Sequence, residues 1–447
     1  MTTACLVGGA ALAAQQQPNG ATTARPSNAT FTLTQALRAS LANPRTSTTW
    51  QLTTDASASH INVSRAAFLP VVTGVLGVSA VSSGNVTLFS SEVGGFAGFA
   101  RGHTRAGVDV EYPVYDGGKR LAQLHSDTAA YRSAVDGVRT DQVSALMNTL
   151  IAFYTTLQNQ RLVASSGAAV AAARQHLVDA QARLQVGLVA KGEVLTAQSA
   201  LSQAIAVEEA RNGLLSASRA HLANLLGGDP ATLVPKVSDP AEELPITDSR
   251  DKLVAEAMAF DPQKQAIYDQ RASARYQLST IRADLSPVVS IGASFGYLFA
   301  TNNNFGPYVV ASADLGIPLF EQENVHARER EQLDAVHKLS VAAEQDQADL
   351  KEQVETIYSN YVSGAAAVVA DRDSVMAARE ALRLAQEQYQ VGKGTQTSVL
   401  DAIHLLATAQ DNLALELTAR DIAEQTLNTL TGGYADLLPA PVLKPKK

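Results

Sequence analysis

The sequence predicts a mainly α-helical chain with a membrane-spanning β part, in which long antiparallel coiled-coil helices join four amphipathic strands. Three observations carry that expectation. Proline and glycine landmarks recur at one offset, two stretches of nearly 70 residues hold no proline, and short segments ahead of each stretch alternate with a period of two.

The offset comes first because it organises everything else. Pro113, Gly187, Gly227 and Gly228 recur 205 positions later as Pro318, Gly392, Gly432 and Gly433. Upstream the offset is about 217: Asn43-Pro44 and Leu69-Pro70 answer Asp261-Pro262 and Ser286-Pro287, so the first copy carries about a dozen extra residues between Pro70 and Pro113. A unit this long is not a solenoid repeat; it reads as one large unit duplicated in tandem, residues 31–228 and 249–435. Between the copies, residues 229–248 place Pro230, Pro235, Pro240 and Pro245 five apart, which suits a linker rather than a helix or a central strand. Residues 1–14 read as the remnant of a signal peptide, with Ala11-Leu12-Ala13 as its cleavage site. Residues 15–30 read as a disordered segment and 436–447 as a tail.

Within each copy the elements follow in the same order. A helix over about 45–68 leads to a hairpin over about 70–115, where Val108, Val110 and Tyr112 alternate with Gly107, Asp109 and Glu111. Its counterpart is a helix over about 263–284 and a hairpin over about 288–320, in which Val289, Ile291, Ala293, Phe295, Tyr297 and Phe299 line one face. The long helices follow at about 119–186 and 324–391, each ~100 Å at 1.5 Å per residue. Tip turns at 186–192 and 391–397 then lead into helices over about 193–226 and 398–430. Heptad spacing there (Val194, Leu201, Leu215, Leu222; Val399, Leu406, Leu427) marks coiled-coil packing.

Composition narrows the function. A net charge of -8 without a Lys/Arg-rich run argues against a nucleic-acid partner. No run of 18 apolar residues is present, so no membrane-spanning helix is expected, whereas strands of about 10 residues suit a bilayer crossing. Cys5 is the single cysteine, so no disulfide is expected. The eight histidines lack metal-ligand spacing, and Gly292-Ala293-Ser294-Phe295-Gly296 places its serine inside an alternating strand instead of on a nucleophile elbow. No active site, metal or cofactor is expected.

Three groups of residues remain as candidates. Asp371 and Asp373 on the second long helix have two open readings, a solvated face or a carboxylate ring lining a pore. Tyr112, Tyr115, Tyr297, Phe299 and Phe320 are either membrane-interface aromatics or ordinary packing. Val186, Gly187, Leu188 and Val189, with Val391, Gly392, Lys393 and Gly394, put apolar groups at the remote end of a coiled coil. They are a docking surface or a plain glycine-ended helix. Four strands cannot close a barrel in lipid, where each unpaired backbone group costs several kcal/mol, so the chain must associate. Three copies would supply twelve strands.

The chain resembles the outer membrane efflux protein family over about residues 31–435. The resemblance rests on the duplication, on the junctions YPVYDGGKR (112–120) and IPLFEQENVHAR (317–328), and above all on QVGLVAKGEVLTAQ (185–198) with QVGKGTQTSVLDA (390–402). It implies a homotrimer with a twelve-stranded β-barrel in outer-membrane lipid and an α-barrel in the periplasm. It further implies that the two tips contact a periplasmic adaptor protein, which links the duct to an inner-membrane pump in an efflux or type I secretion system. The second junction departs from the family pattern by lacking Asp-Gly-Gly. A periplasmic coiled-coil adaptor or scaffold is the alternative reading.

Overall fold

The computed structural model describes residues 30–80, 102–229, 236–237, 246, 248–300 and 305–439. In chain order the elements are β1 (Thr30–Phe31), α1 (Leu33–Leu41), α2 (Pro44–Ala66), β2 (Val71–Ala80), β3 (Gly102–Tyr115), α3 (Lys119–Gln185) and α4 (Lys191–Leu225). Then come β4 (Lys236–Val237), α5 (Arg250–Phe260), α6 (Pro262–Ala283), β5 (Val288–Ala300), β6 (Phe305–Gly316), α7 (Gln322–Gln390), α8 (Gln396–Leu430) and a 3-10 turn at Ala435–Leu437. The two halves run through the same series: two short helices, a hairpin, a very long helix and a return helix.

Local chemistry sets the boundaries. Thr32 and Gln35 form a reciprocal cap at the start of α1. Asn43 caps α2 and Asp261 caps α6, each followed by a proline whose fixed φ suits the first helical turn. The Asn43 side chain also donates to the carbonyls of Asn224 (3.3 Å) and Leu225 (3.1 Å), tying the start of α2 to the end of α4. Sixty-seven residues in α3 and sixty-nine in α7 give helices of ~100 Å. Helices this long hold no single core. Apolar contacts instead form a string of clusters along α3 and α7, the largest built from α1, α3, α4 and Val237, with Phe153, Leu146, Leu150, Leu222 and Leu226 essentially inaccessible.

The four long strands make one sheet in the order β2-β3-β5-β6, so the two hairpins lie side by side through an antiparallel β3–β5 ladder. β1 and β4 form a separate parallel pair, Thr30 against Lys236 and Phe31 against Val237.

Two boundaries move as a result. Thr30, read with the leading segment, is paired in β1; and Asp436 and Leu437, read with the tail, belong to the 3-10 turn, with Leu438 buried against the largest cluster. In the linker, Lys236–Val237 is a strand, which the flanking prolines permit because each lies beyond the two paired residues. The readings placed on residues 1–29, 81–101, 301–304, 440–447 and most of 229–248 lie outside the described residues.

Candidate functional site

At one end of the molecule the sheet is two-faced. Directly opposed residues of an antiparallel ladder project to the same side. The register therefore gathers Leu76, Ala106, Tyr297 and Pro307 on one face, with Gly74, Val108, Phe295 and Val309 in the next row. The opposite face collects Arg105, Asp109, Glu111, Ser294, Tyr308, Ser312 and Asp314. There Arg105 pairs with Asp109 and donates to the Tyr308 hydroxyl at 2.7 Å. Among the described residues of this sheet, the charged side chains Arg105, Asp109, Glu111 and Asp314 thus share one face, and the apolar face stands bare. Among the described residues no helix is long and apolar enough to cross a membrane.

The interface aromatics divide. Tyr297 and Phe299 lie on the apolar face of β5 with ring centroids 5.9 Å apart. Tyr112, on the same face of β3, is half-buried with the Arg120 guanidinium 5.9 Å over its ring. Tyr115 ends β3, and Phe320 lies beyond the end of β6, 99% exposed. The Asp116-Gly117-Gly118 junction has a steric reason: Gly117 has φ +66° and packs so closely on Ser286 that a Cβ would collide with it. Under the 205-residue offset the matching positions hold Glu321, Gln322 and Glu323.

At the other end are the tips. Gly187 (φ +77°) turns the chain so that Leu188 N–H donates to the Arg183 carbonyl at 2.9 Å. Gly392 (φ +78°) does the same for Lys393 on Gln388. Such a turn is usually closed by an apolar contact. Here Val186, Leu188 and Val391 are 69%, 71% and 70% exposed, and Val189 is half-buried. Gly394 is needed because a Cβ there would lie 2.8 Å from the Tyr389 nitrogen.

Residues beside the turns, which sequence reading did not single out, bind the two tips together. Arg183 of α3 lies 4.3 Å over the Tyr389 ring of α7 and donates to the Gln390 carbonyl at 2.6 Å. Gln396 of α8 is buried and donates to the Glu193 carbonyl of α4 at 2.6 Å, and the Tyr389 hydroxyl reaches the Glu193 carboxylate at 3.5 Å. His176 also packs there, its ring 5.1 Å from Tyr389. About 25–30 Å up the bundle, at 1.5 Å per residue, a second tie joins α3, α4 and α8. Arg211 of α4 is bidentate to Asp411 of α8 and also donates to the Leu162 carbonyl at 2.9 Å, while Ser165 donates to Asp411 at 3.0 Å. Asp371 is half-buried and Asp373 exposed on α7, some 30 Å from the tip by helix rise, so neither belongs to this cluster.

A long duplicated coiled coil, bare apolar tips and a two-faced sheet with open edges together describe a duct, and the family profile for outer membrane efflux proteins matches residues 12–228 and 253–433. The chain belongs to the outer membrane efflux protein family. Among curated relatives, the outer membrane efflux protein BepC of Brucella suis biovar 1 is 25% identical over 335 residues, covering 73% of this chain and 71% of BepC. Two solved channels share the fold. OprN superposes with a TM-score of 0.76 at 20% identity over 90% of both chains, and VceC of Vibrio cholerae with 0.72 at 15% identity, over 90% of this chain and 96% of VceC. As an outer membrane efflux protein, the chain is a channel component of the outer membrane with its helices in the periplasm, and the adaptor or scaffold alternative is set aside.

Proposed function

We propose that this efflux protein works as a homotrimeric, passive exit duct whose tips dock a periplasmic adaptor and whose opening is controlled where the tips are tied together. The energy comes from an inner-membrane pump. The observation that carries this reading is the pairing of bare apolar turns (Val186, Leu188, Val391) with a polar latch directly beside them. Apolar groups held in water at a remote end favour a protein partner, while Arg183, Glu193, Tyr389 and Gln396 join four helices through contacts that sliding α7 and α8 past α3 and α4 would break. Docking and release are thereby adjacent: a partner gripping the turns pulls on the backbone that carries the latch. Asp371 and Asp373, higher on α7, are proposed as pore-lining acids above the gate, and Tyr297 and Phe299 as aromatics at the edge of the membrane band.

The test is single-channel conductance of the purified protein in planar bilayers. Arg183→Gln combined with Tyr389→Ala breaks the contacts between α3 and α7 and the Tyr389–Glu193 contact of the latch, and leaves the turns intact. Conductance is expected to rise several-fold over wild type, and an unchanged small conductance would contradict control at the tip.

A further inference from the structure

We infer that Tyr308 sets the size limit at the exit mouth of the duct, and that Arg105 is its positioning residue, stowing the ring flat against the lumen wall. The inference rests on the duct reading, because it needs the charged face of the sheet to line the lumen, and it adds where cargo is sized after the tip has let it in. Register puts the pair at the mouth. Arg105 stands three residues into β3 and Tyr308 three into β6, so both lie within about 10 Å of the hairpin ends that face away from the helices. Val75, Gly107, Gly296 and Tyr308 form one row across the sheet, on the charged face.

A tyrosine on a strand ordinarily stands away from the sheet. This one lies down. A Cβ on Gly107, two strands away, would sit 2.5 Å from the Tyr308 hydroxyl oxygen, so the ring crosses β5 and ends on β3. Glycine keeps that path open: Gly107 and Gly296 oppose each other directly, and a Cβ on Gly296 would lie 2.5 Å from the Gly107 Cα. Arg105 holds the far end of the ring. Its Nε donates to the Tyr308 hydroxyl at 2.7 Å, its guanidinium carbon is 5.7 Å from the ring centroid, and it is paired with Asp109. The Arg105 side chain is only 16% exposed, so it too lies along the wall.

The first copy does not repeat the cluster. Under the 205-residue offset His103 answers Tyr308, Val310 answers Arg105 and Ser312 answers Gly107. A trimer therefore carries one such ring per chain around its mouth. Stowed, the three aromatic faces pave the wall and the mouth keeps its full bore; released, three rings stand into it. Covering a glycine pair would need only an apolar ring. A hydroxyl clamped by a charge-paired arginine fixes, in addition, where the ring lies.

Thiol labelling tests it, in a parent carrying Cys5→Ser and Ser312→Cys. Ser312 is on the same strand and face as Tyr308 and four residues nearer the helices, so a reagent arriving from outside the cell passes the ring first. Intact cells are treated with a small and a bulky membrane-impermeant maleimide of equal charge. The ratio of the two rates, bulky to small, cancels the reactivity of the thiol and the local field. Arg105→Ala is expected to lower that ratio several-fold, and Tyr308→Ala to leave it near the parental value. Arg105→Ala combined with Tyr308→Ala is expected to return to the parental ratio, a reversal that a purely structural role for the arginine would not produce. An unchanged ratio in Arg105→Ala overturns the inference. So does a several-fold rise in Tyr308→Ala alone, which would mean that the ring already stands in the bore; that variant carries the test if Arg105→Ala fails to assemble. In both cases the duct reading stands. A parental ratio equal to that of the urea-unfolded protein would mean that no lumen encloses Ser312, and would remove the duct reading and the inference together.

Discussion

His176 shows what a single buried side chain contributes at the tip. It is 3% exposed, its Nε2 has no hydrogen-bond partner, and burial holds its pKa below the usual histidine value despite the carboxylates of Asp179 and Glu193. A base whose folded pKa is depressed stabilises the fold above its unfolded pKa, about 6.5, and that contribution drains away as pH falls toward the lower folded value. Protonation would also set a second cation against the Tyr389 ring already occupied by Arg183. The heat-denaturation midpoint is therefore expected to drop between pH 7.5 and pH 5, and to drop less in His176→Phe; equal drops would show that His176 does not titrate against the cluster. Asp346 behaves with the opposite sign. Burial, then a hydrogen bond to Asp261, raises its pKa to about 6, so the folded state holds a proton the unfolded chain has lost and stability declines as pH rises from about 4 through 6. Asp346→Asn is expected to gain about 1 kcal/mol at pH 7.5, a figure kept small because the pair is only partly buried and solvent screens it. Titration of unfolding by denaturant at pH 7.5 and pH 4.5 checks this, and a gain equal at both pH values would sink it.

At the scale of elements, the reading of the sequence succeeded where one residue type decides the outcome and failed where the outcome depends on a distant partner. The absence of proline and the sparse glycines fixed α3 and α7, and alternation fixed β5 and β6, because both signals are local. The helices α1 and α5 were missed: each is short, and each is held by contacts to α3 or α7 that no window of sequence contains. The β1–β4 pair joins residues some 200 apart over two positions, too few for any periodicity. The latch residues were hidden for the same reason, although a signal existed. Across the 205-residue offset Arg183 answers Gln388, Glu193 answers Ser398 and Leu184 answers Tyr389, so the copies diverge in chemistry right beside their best-matched turns. Gly117 carries an element-scale prediction. Its positive φ and its contact with Ser286 both resist a side chain, so Gly117→Ala is expected to lower stability by ~1 kcal/mol or more and to shift the junction between β3 and α3. An unaltered melting curve would show that the junction yields without cost.

For the whole molecule, one physical conflict organises the rest. Each chain presents a sheet with an apolar face and two open edges, neither of which is stable alone in a bilayer. It also presents helices far longer than any core they form by themselves. Both are resolved if neighbouring copies supply the missing strands and helices, leaving the charged face of the sheet around a lumen and the tips free at the far end. The measurement that tests this most directly is the native mass of the full chain, extracted from membranes in detergent, read together with its single-channel conductance. A trimer of small conductance that requires detergent to stay dispersed is the predicted result. A water-soluble monomer that forms no channel would contradict the account.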